Sequence, residues 1–247
     1  MLGLPDGITA CLFDLDGVLT GTAAVHSAAW TRMFDDFLRA RAERTGQPYV
    51  AFDPARDYNS YVDGRARADG VRTFLASRGI TLPDGRPNDP PRRETVHGLA
   101  NRKNDLLLRL IREQGVHVYP GSVAYLKAAA AAGLRRAVVS ASANTREVLT
   151  AAGLTDLLEV VVDGIVAADQ HLRGKPAPDP YLAAASALGV APGESAVFED
   201  AVAGVEAGRG AQAGFVVGVD RVGHAAALRA AGASIVVGDL SELLHDS

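Results

Sequence analysis

Residues 8–22, ITACLFDLDGVLTGT, constrain what this chain can fold into more than any other stretch. Ile8, Ala10, Cys11, Leu12 and Phe13 make a short, nearly continuous apolar run, which predicts a strand buried on both faces of a parallel sheet. The run ends in two carboxylates two residues apart, Asp14 and Asp16, followed at once by Gly17. If the strand continues, residues at i and i+2 point the same way. A turn at Gly17 then leaves both acids at the strand's carboxyl end, where open α/β sheets carry their ligands. Two acids so close repel each other unless a cation or a shared proton compensates. A bare DxD reads as an acidic turn, but the string here is far longer.

After Thr22 the period changes to that of a helix. Residues 23–44 carry Val25, Ala29, Met33, Phe34, Phe37 and Leu38 at three- and four-residue spacings, and Gly46 and Pro48 stop the pattern. Asp53-Pro54 opens a short helix, Asp63-Gly64 makes a turn, 69–78 is helical, 83–91 (PDGRPNDPP) is a polar loop, and 95–114 is helical again. From Val118 strands and helices alternate. Strands are expected at 137–140, 159–162, 196–199, 215–219 and 235–237. The helices between and after them fall at 144–152, 178–188, 202–208, 224–231 and near Leu243. The Ala-rich run 126–132 is a closely packed helix. This alternation predicts an α/β, doubly wound, parallel-sheet (Rossmann-like) core. The core comprises residues 1–20 and 118–247, with an α-helical cap inserted at 21–117.

Composition excludes several classes of function. At 247 residues with 48% hydrophobic content, the chain can bury a sizeable core. No apolar run approaches the roughly 20 residues of a membrane span. The opening MLGLPDG lacks the basic and apolar regions of a signal peptide, so a cytoplasmic location is expected, with no membrane partner. A net charge of −4, with Lys and Arg dispersed, argues against nucleic acid. The single cysteine, Cys11, sits in the apolar strand as a core thiol.

Three further turns follow predicted strands, where a sheet would bring them beside Asp14. Ser140-Ala-Ser142-Ala-Asn144 offers hydroxyls and helix N-terminal amides suited to a phosphate, although such a stretch taken alone is more often a helix cap. In Gly174-Lys175-Pro176-Ala-Pro178-Asp179 two prolines frame one lysine, and phosphoryl transfer needs cations around the equatorial oxygens. Glu199-Asp200 ends a strand, and with Asp14 nearby would form a hard-oxygen site for Mg²⁺.

Taken together, FDLDGVLT, Ser142, Lys175 and Glu199-Asp200 resemble, in chain order, the four motifs of the haloacid dehalogenase superfamily of phosphotransferases. The resemblance implies Asp14 as nucleophile toward phosphorus and Asp16 as general acid/base. It implies Mg²⁺ held by Asp14, the Asp16 carbonyl, Glu199 and Asp200, with Ser142 and Lys175 completing the catalytic set and Ser140 and Asn144 on the phosphate.

Within that superfamily the cap resembles the β-phosphoglucomutase family. The spacing from Asp14 to Thr22, His26 and Trp30 matches, as do the cap loop Asp63-Gly64-Arg65-Ala66-Arg67, the helix segment around Lys103-Asn104-Asp105, and the return hinge VYPG at 118–121. This likeness implies substrate contacts from Thr22, His26, Gly64, Arg65, Arg67 and Lys103. The implied reaction interconverts β-glucose 1-phosphate and glucose 6-phosphate through a bisphosphate, on a small phosphosugar and by a monomer. Gly21, Asp63, Ala143 and Ala201 depart from the family pattern. Rival readings are a sugar-phosphate phosphatase and a non-catalytic phosphosugar-binding module. A dehalogenase fits less well, because that branch lacks an acid two residues after its nucleophile. The histidines at 97, 117, 171, 224 and 245 show no metal-ligand spacing and are expected as surface groups.

Overall fold

The computed structural model describes residues 2–244, so His245 lies outside it. In chain order the elements are β1 (Ala10–Phe13), α1 (Ala23–Thr45), α2 (Arg67–Ser77), α3 (Val96–Gln114), α4 (Pro120–Ala131), β2 (Arg135–Val139), α5 (Thr145–Ala152), β3 (Val160–Val162) and α6 (Gly164–Asp169). Then follow α7 (Asp179–Leu188), β4 (Ser195–Glu199), α8 (Val202–Gly210), β5 (Phe215–Val219), α9 (Ala225–Ala231) and β6 (Ile235–Val237). Contacts divide the chain into two units. One comprises the residues up to Gly21, Gly64–Ala66, and those from Val116 on; the other comprises Thr22–Asp63 and Arg67–Gly115.

The first unit is a six-stranded, wholly parallel sheet in the order β3-β2-β1-β4-β5-β6. Its apolar first strand occupies the middle, with Leu12 paired to Ala137 on one side and Val197 on the other. Both faces of β1 are buried, which is why it carries no alternation. On one face Ala10 and Leu12 pack among Tyr181, Ala184 and Leu188 of α7. On the other, the Phe13 ring stacks on Phe198 at 4.5 Å, with Tyr125 of α4 edge-on at 6.2 Å. Cys11 is a buried free thiol, and burial pushes its pKa up to about 12, so it acts as a small apolar side chain.

Several boundaries differ from the sequence reading. Helix α4 starts earlier, at Pro120, because a proline fits the first helical position without losing a hydrogen bond. The short helix α6 was not expected; the buried carboxylate of Asp163 creates it by accepting from Ile165 N and Val166 N. The last element is a 3₁₀ turn, Leu240–Leu243. His224 is half-buried, not a surface group, and its Nε2 donates to the Asp200 carbonyl at 2.8 Å.

The second unit is helical, with α1, α2 and α3 closed around an aromatic cluster. Phe34 stacks on Trp30 at 5.3 Å and Phe52 at 5.2 Å, with Phe74 4.1 Å away. Helix α1 ends where Gly46 adopts φ 70°, and α3 begins where the Thr95 hydroxyl accepts from Gly98 N at 3.0 Å. The segment after Asp53-Pro54 runs into a π-helical turn, Tyr58–Val62. Asp57 pins this segment to the end of α2. Its carboxylate accepts from Arg78 Nη2 at 2.6 Å and from Asp53 N at 3.1 Å.

Burial alone would raise the Asp57 carboxyl, but the Asp53 amide and the Arg78 guanidinium outweigh it, and the net shift is downward. A depressed folded pKa contributes stability that is complete above the unfolded value of about 3.9 and lost as pH falls through the folded value. Asp57→Asn should therefore cost about 1.5–3 kcal/mol near pH 7, the worth of a hydrogen bond to a charged group. The gap between parent and variant in urea melts should hold down to about pH 4 and narrow only below it.

Candidate active site

Parallel pairing puts the carboxyl ends of β1, β2 and β4 side by side, and each ends in one of the polar turns found in the sequence. Strand β1 stops at Phe13, so turn geometry and not strand alternation places Asp14 and Asp16. Asp14 N donates to Phe198 O at 2.9 Å, Leu19 N and Thr20 N both donate to Leu15 O, and Gly17 N donates to Thr20 O at 2.7 Å. Asp14 is buried and Asp16 half-buried.

Lys175 reaches Asp14 from the loop before α7. Its ammonium donates to Asp14 Oδ1 at 2.6 Å and to the Val139 carbonyl at 3.0 Å, and lies 2.5 Å from Glu199 Oε1. Burial by itself would lower the Lys175 pKa, but the Asp14 and Glu199 carboxylates outweigh it and raise it above the ordinary range. Burial also pushes the Asp14 carboxyl up. Lys175 opposes that shift, while Glu199 and Asp16 add to it. Lys175 is raised by the carboxylates beside it and Asp14 chiefly by its burial, and the acids of Asp14, Glu199 and Asp200 stand against a single ammonium.

One ligand oxygen each from Asp14, Glu199 and Asp200 lies within 4.8 Å of the others, and all three residues are buried. An all-carboxylate set with a deficit of positive charge fits a hard divalent cation such as Mg²⁺. The space is shaped for these acids. A Cβ at Gly17, whose φ is +93°, would stand 1.7 Å from Asp200 Oδ2.

The second turn is built to present hydroxyls. Ser140 Oγ accepts from Ser142 N and Ser142 Oγ accepts from Asn144 N, each at 3.1 Å, so each hydroxyl hydrogen remains to donate to a further acceptor. The Ser142 carbonyl is tied to the Thr145 hydroxyl at 2.9 Å and to Gly164 N at 3.0 Å. Asn144 stands at the N-cap of α5.

The helical unit holds its own candidates together. Lys103 is 1% exposed, with its ammonium 3.1 Å from His26 Nδ1 and 5.1 Å over the Trp30 ring. Since an ammonium only donates, His26 accepts through Nδ1. Buried Thr22 starts that helix, its carbonyl accepting from His26 N at 2.8 Å. Arg67 opens α2, and its Nη1 is buried without a hydrogen-bond partner among the described residues. Burial lowers the Arg67 pKa against the pull of Asp105. Gly64, at φ +68°, and half-buried Arg65 belong to the sheet unit by their contacts.

The family model for haloacid dehalogenase-like hydrolases matches residues 8–212. The chain belongs to this family. It is 57% identical to a β-phosphoglucomutase of Mycobacterium tuberculosis over 247 residues, covering 99% of this chain and 94% of that protein. It is 33% identical to the validoxylamine A 7′-phosphate phosphatase of Streptomyces hygroscopicus subsp. limoneus, covering 94% of each. Among solved structures, the β-phosphoglucomutase of Clostridium difficile is similar with a TM-score of 0.75 at 28% identity, over 96% of this chain and 93% of that one. Members of the family are enzymes, and so is this chain.

Sequence reasoning missed Tyr181 of this haloacid dehalogenase-like core. Its hydroxyl donates to Glu199 Oε1 at 2.5 Å, and its ring lies 5.2 Å from the Lys175 ammonium. The available signal was a single phenol in an otherwise apolar, Ala-rich helix just after the lysine loop.

Gly17→Ala should lower turnover by about 10²-fold, the cost of misplacing reacting groups by about 1 Å, because the new methyl displaces the Asp200 carboxylate. Gly193→Ala has nothing within 4 Å of its methyl and should leave turnover unchanged. Steady-state kinetics on the two variants, beside their melting curves, checks this.

Proposed function

We propose that this chain is a Mg²⁺-dependent phosphosugar mutase that interconverts β-glucose 1-phosphate and glucose 6-phosphate through a phospho-Asp14 and a sugar bisphosphate. The observation that carries the reading is the Asp14 carboxylate seated on the Lys175 ammonium beside Glu199 and Asp200. The likeness to the mycobacterial enzyme supplies the substrate.

In this reading an Asp14 oxygen forms a bond to phosphorus while the bond from phosphorus to the sugar oxygen breaks, and Asp16 gives that oxygen its proton. In the second transfer Asp16 takes the proton from the sugar hydroxyl that attacks phospho-Asp14. Lys175, Ser142, Ser140 and Asn144 bind the transferring phosphoryl oxygens. Asp14, the Asp16 carbonyl, Glu199 and Asp200 would hold Mg²⁺, which supplies neutralisation of the charge that builds on those oxygens.

Thr22, His26, Gly64, Arg65 and Lys103 serve the sugar. Arg67, whose buried Nη1 lacks a partner among the described residues, takes the phosphate that is not in transfer. The protein is proposed to act as a cytoplasmic monomer with a small-molecule partner only. The phosphatase likeness supports a second reading, in which water takes the phosphoryl group from Asp14.

Phosphorus NMR with β-glucose 1-phosphate, Mg²⁺ and a trace of bisphosphate separates the two. Glucose 6-phosphate accumulates under the mutase reading, and inorganic phosphate under the other. Asp14→Asn should abolish both turnover and acid-labile phosphate on the protein. Asp16→Ala should lower sugar-phosphate turnover by about 10²–10⁴ and leave phosphorylation of Asp14 by acetyl phosphate intact. Equal loss with both donors would show a disrupted site.

Arg67→Ala tests the second phosphate. A hydrogen bond to a charged group contributes about 1.5–3 kcal/mol, and 1.36 kcal/mol is about tenfold in rate. Isomerisation should therefore slow by roughly 10–150-fold. Hydrolysis of a small ester with no second phosphate should stay unchanged. If neither rate falls, the phosphatase reading is the better one.

A further inference from the structure

The loop between β5 and α9, residues 220–224, reaches back to the site from two strands away. It is folded on the Asp220 carboxylate, whose Oδ1 accepts from Val222 N, Gly223 N and His224 N and whose Oδ2 accepts from Ala225 N. A loop held so fully by its own first residue presents its side chains in fixed directions.

Two of these side chains end on backbone carbonyls of the acid-bearing turns. Arg221 Nε donates to Gly17 O at 3.1 Å, one residue from Asp16. His224 Nε2 donates to Asp200 O at 2.8 Å. Arg221 is itself anchored on all sides. Its Nη1 donates to Gly238 O and to Asp239 Oδ2, each at 2.8 Å, its Nη2 meets Ser122 Oγ at 3.4 Å, and its guanidinium lies 3.8 Å from the centroid of the Tyr119 ring. Ser122 adds a parallel tether, donating to Val18 O at 2.6 Å. The two gripped turns also touch each other, since the Asp200 carboxylate packs against the Cα of Gly17.

We propose that Arg221 and His224 are positioning residues that hold the Asp16-Gly17 turn and Asp200 at the separation a divalent cation requires. The proposal rests on the reading of Asp14, Glu199 and Asp200 as a cation site and assigns that site a support outside the four sequence motifs. Neither side chain needs to touch the cation or the substrate; Arg221 fixes the peptide next to the Asp16 carbonyl, and His224 fixes the backbone of Asp200. Partners of this kind behind metal ligands typically account for 10–100-fold in metal affinity or activity. A purely architectural role, tying the loop to the sheet, would change melting and leave cation affinity alone.

The test is Mn²⁺ binding to the full chain, with free Mn²⁺ read by electron paramagnetic resonance and folding followed by thermal melting without metal. Arg221→Met keeps a stem on Tyr119 but removes every donor, and His224→Leu keeps bulk without the N–H. Each should weaken Mn²⁺ binding by about 10–100-fold. His224→Gln, which keeps a donor at similar reach, should bind as the parent does.

Parent-like binding by folded Arg221→Met and His224→Leu overturns the proposal, as does equal loss in His224→Gln and His224→Leu. If either truncation does not melt cooperatively, Arg221→Asn or His224→Asn takes its place with the same expectation. Both shorten the reach to the carbonyl while keeping a polar head. Asp200→Asn is the reference for a lost ligand. A parent chain that binds no Mn²⁺ overturns the cation reading and this proposal with it, whereas a binding parent with unaffected variants overturns this proposal alone.

Discussion

The contact between the Lys175 ammonium and the Asp14 and Glu199 carboxylates is the constraint the sheet unit is built to meet. Taking charges out of water costs several kcal/mol per ion, and only close geometry with further hydrogen bonds recovers it. Here the further bonds are specific. The Val139 carbonyl takes one ammonium proton, and Tyr181 donates to Glu199. Three carboxylates against one ammonium still leave the cluster negative, so protein groups alone do not balance it. That imbalance, more than any one distance, suits the cluster to a cation.

Such a cluster cannot be assembled by neighbours in sequence. Asp14, Lys175 and Glu199 come from a turn, a loop and a strand end far apart in the sequence, and the parallel sheet is what brings them together. Each crossover returns the chain to the same edge, so every strand ends at the same side as Asp14. Central placement of β1 between β2 and β4 is decisive, because it lets one carboxylate face the turns of both neighbours. The apolar, unalternating character of residues 10–13 follows from that central place, with no solvent face left to mark.

Much of this was legible because it rests on residue type and local period. The buried first strand, the alternation from Val118 on, and the candidates Asp14, Lys175, Glu199 and Asp200 could be named from the sequence, and the structure brings those four side chains together. Less legible was whatever depends on reach across the fold. Arg221 and His224 are about twenty residues beyond the acidic pair, in a polar loop whose residues read as ordinary turn formers. Their function as donors to Gly17 and Asp200 carbonyls exists only once β5 lies beside β4. Helix α6 escaped for a related reason: six residues carry no periodic signal, and the capping of Asp163 decides them.

Two glycines show how the site shapes the surrounding backbone. Gly17 meets the Asp200 carboxylate, and a Cβ at Gly204 would stand 1.9 Å from Glu199 Cδ. Gly204 lies inside helix α8, where glycine costs about 1 kcal/mol relative to alanine. That cost is explained only by the carboxylate filling the space a methyl would take. Glu199 is thereby boxed between Gly204, Tyr181 and Lys175, and Asp200 is held between Gly17 and the His224 contact to its carbonyl. Freedom to swing would let these acids find water or each other's partners and relieve their repulsion. Close backbone on one side and a fixed donor on the other deny them that. The cluster's excess negative charge therefore stays concentrated at the end of β1, where it suits a cation.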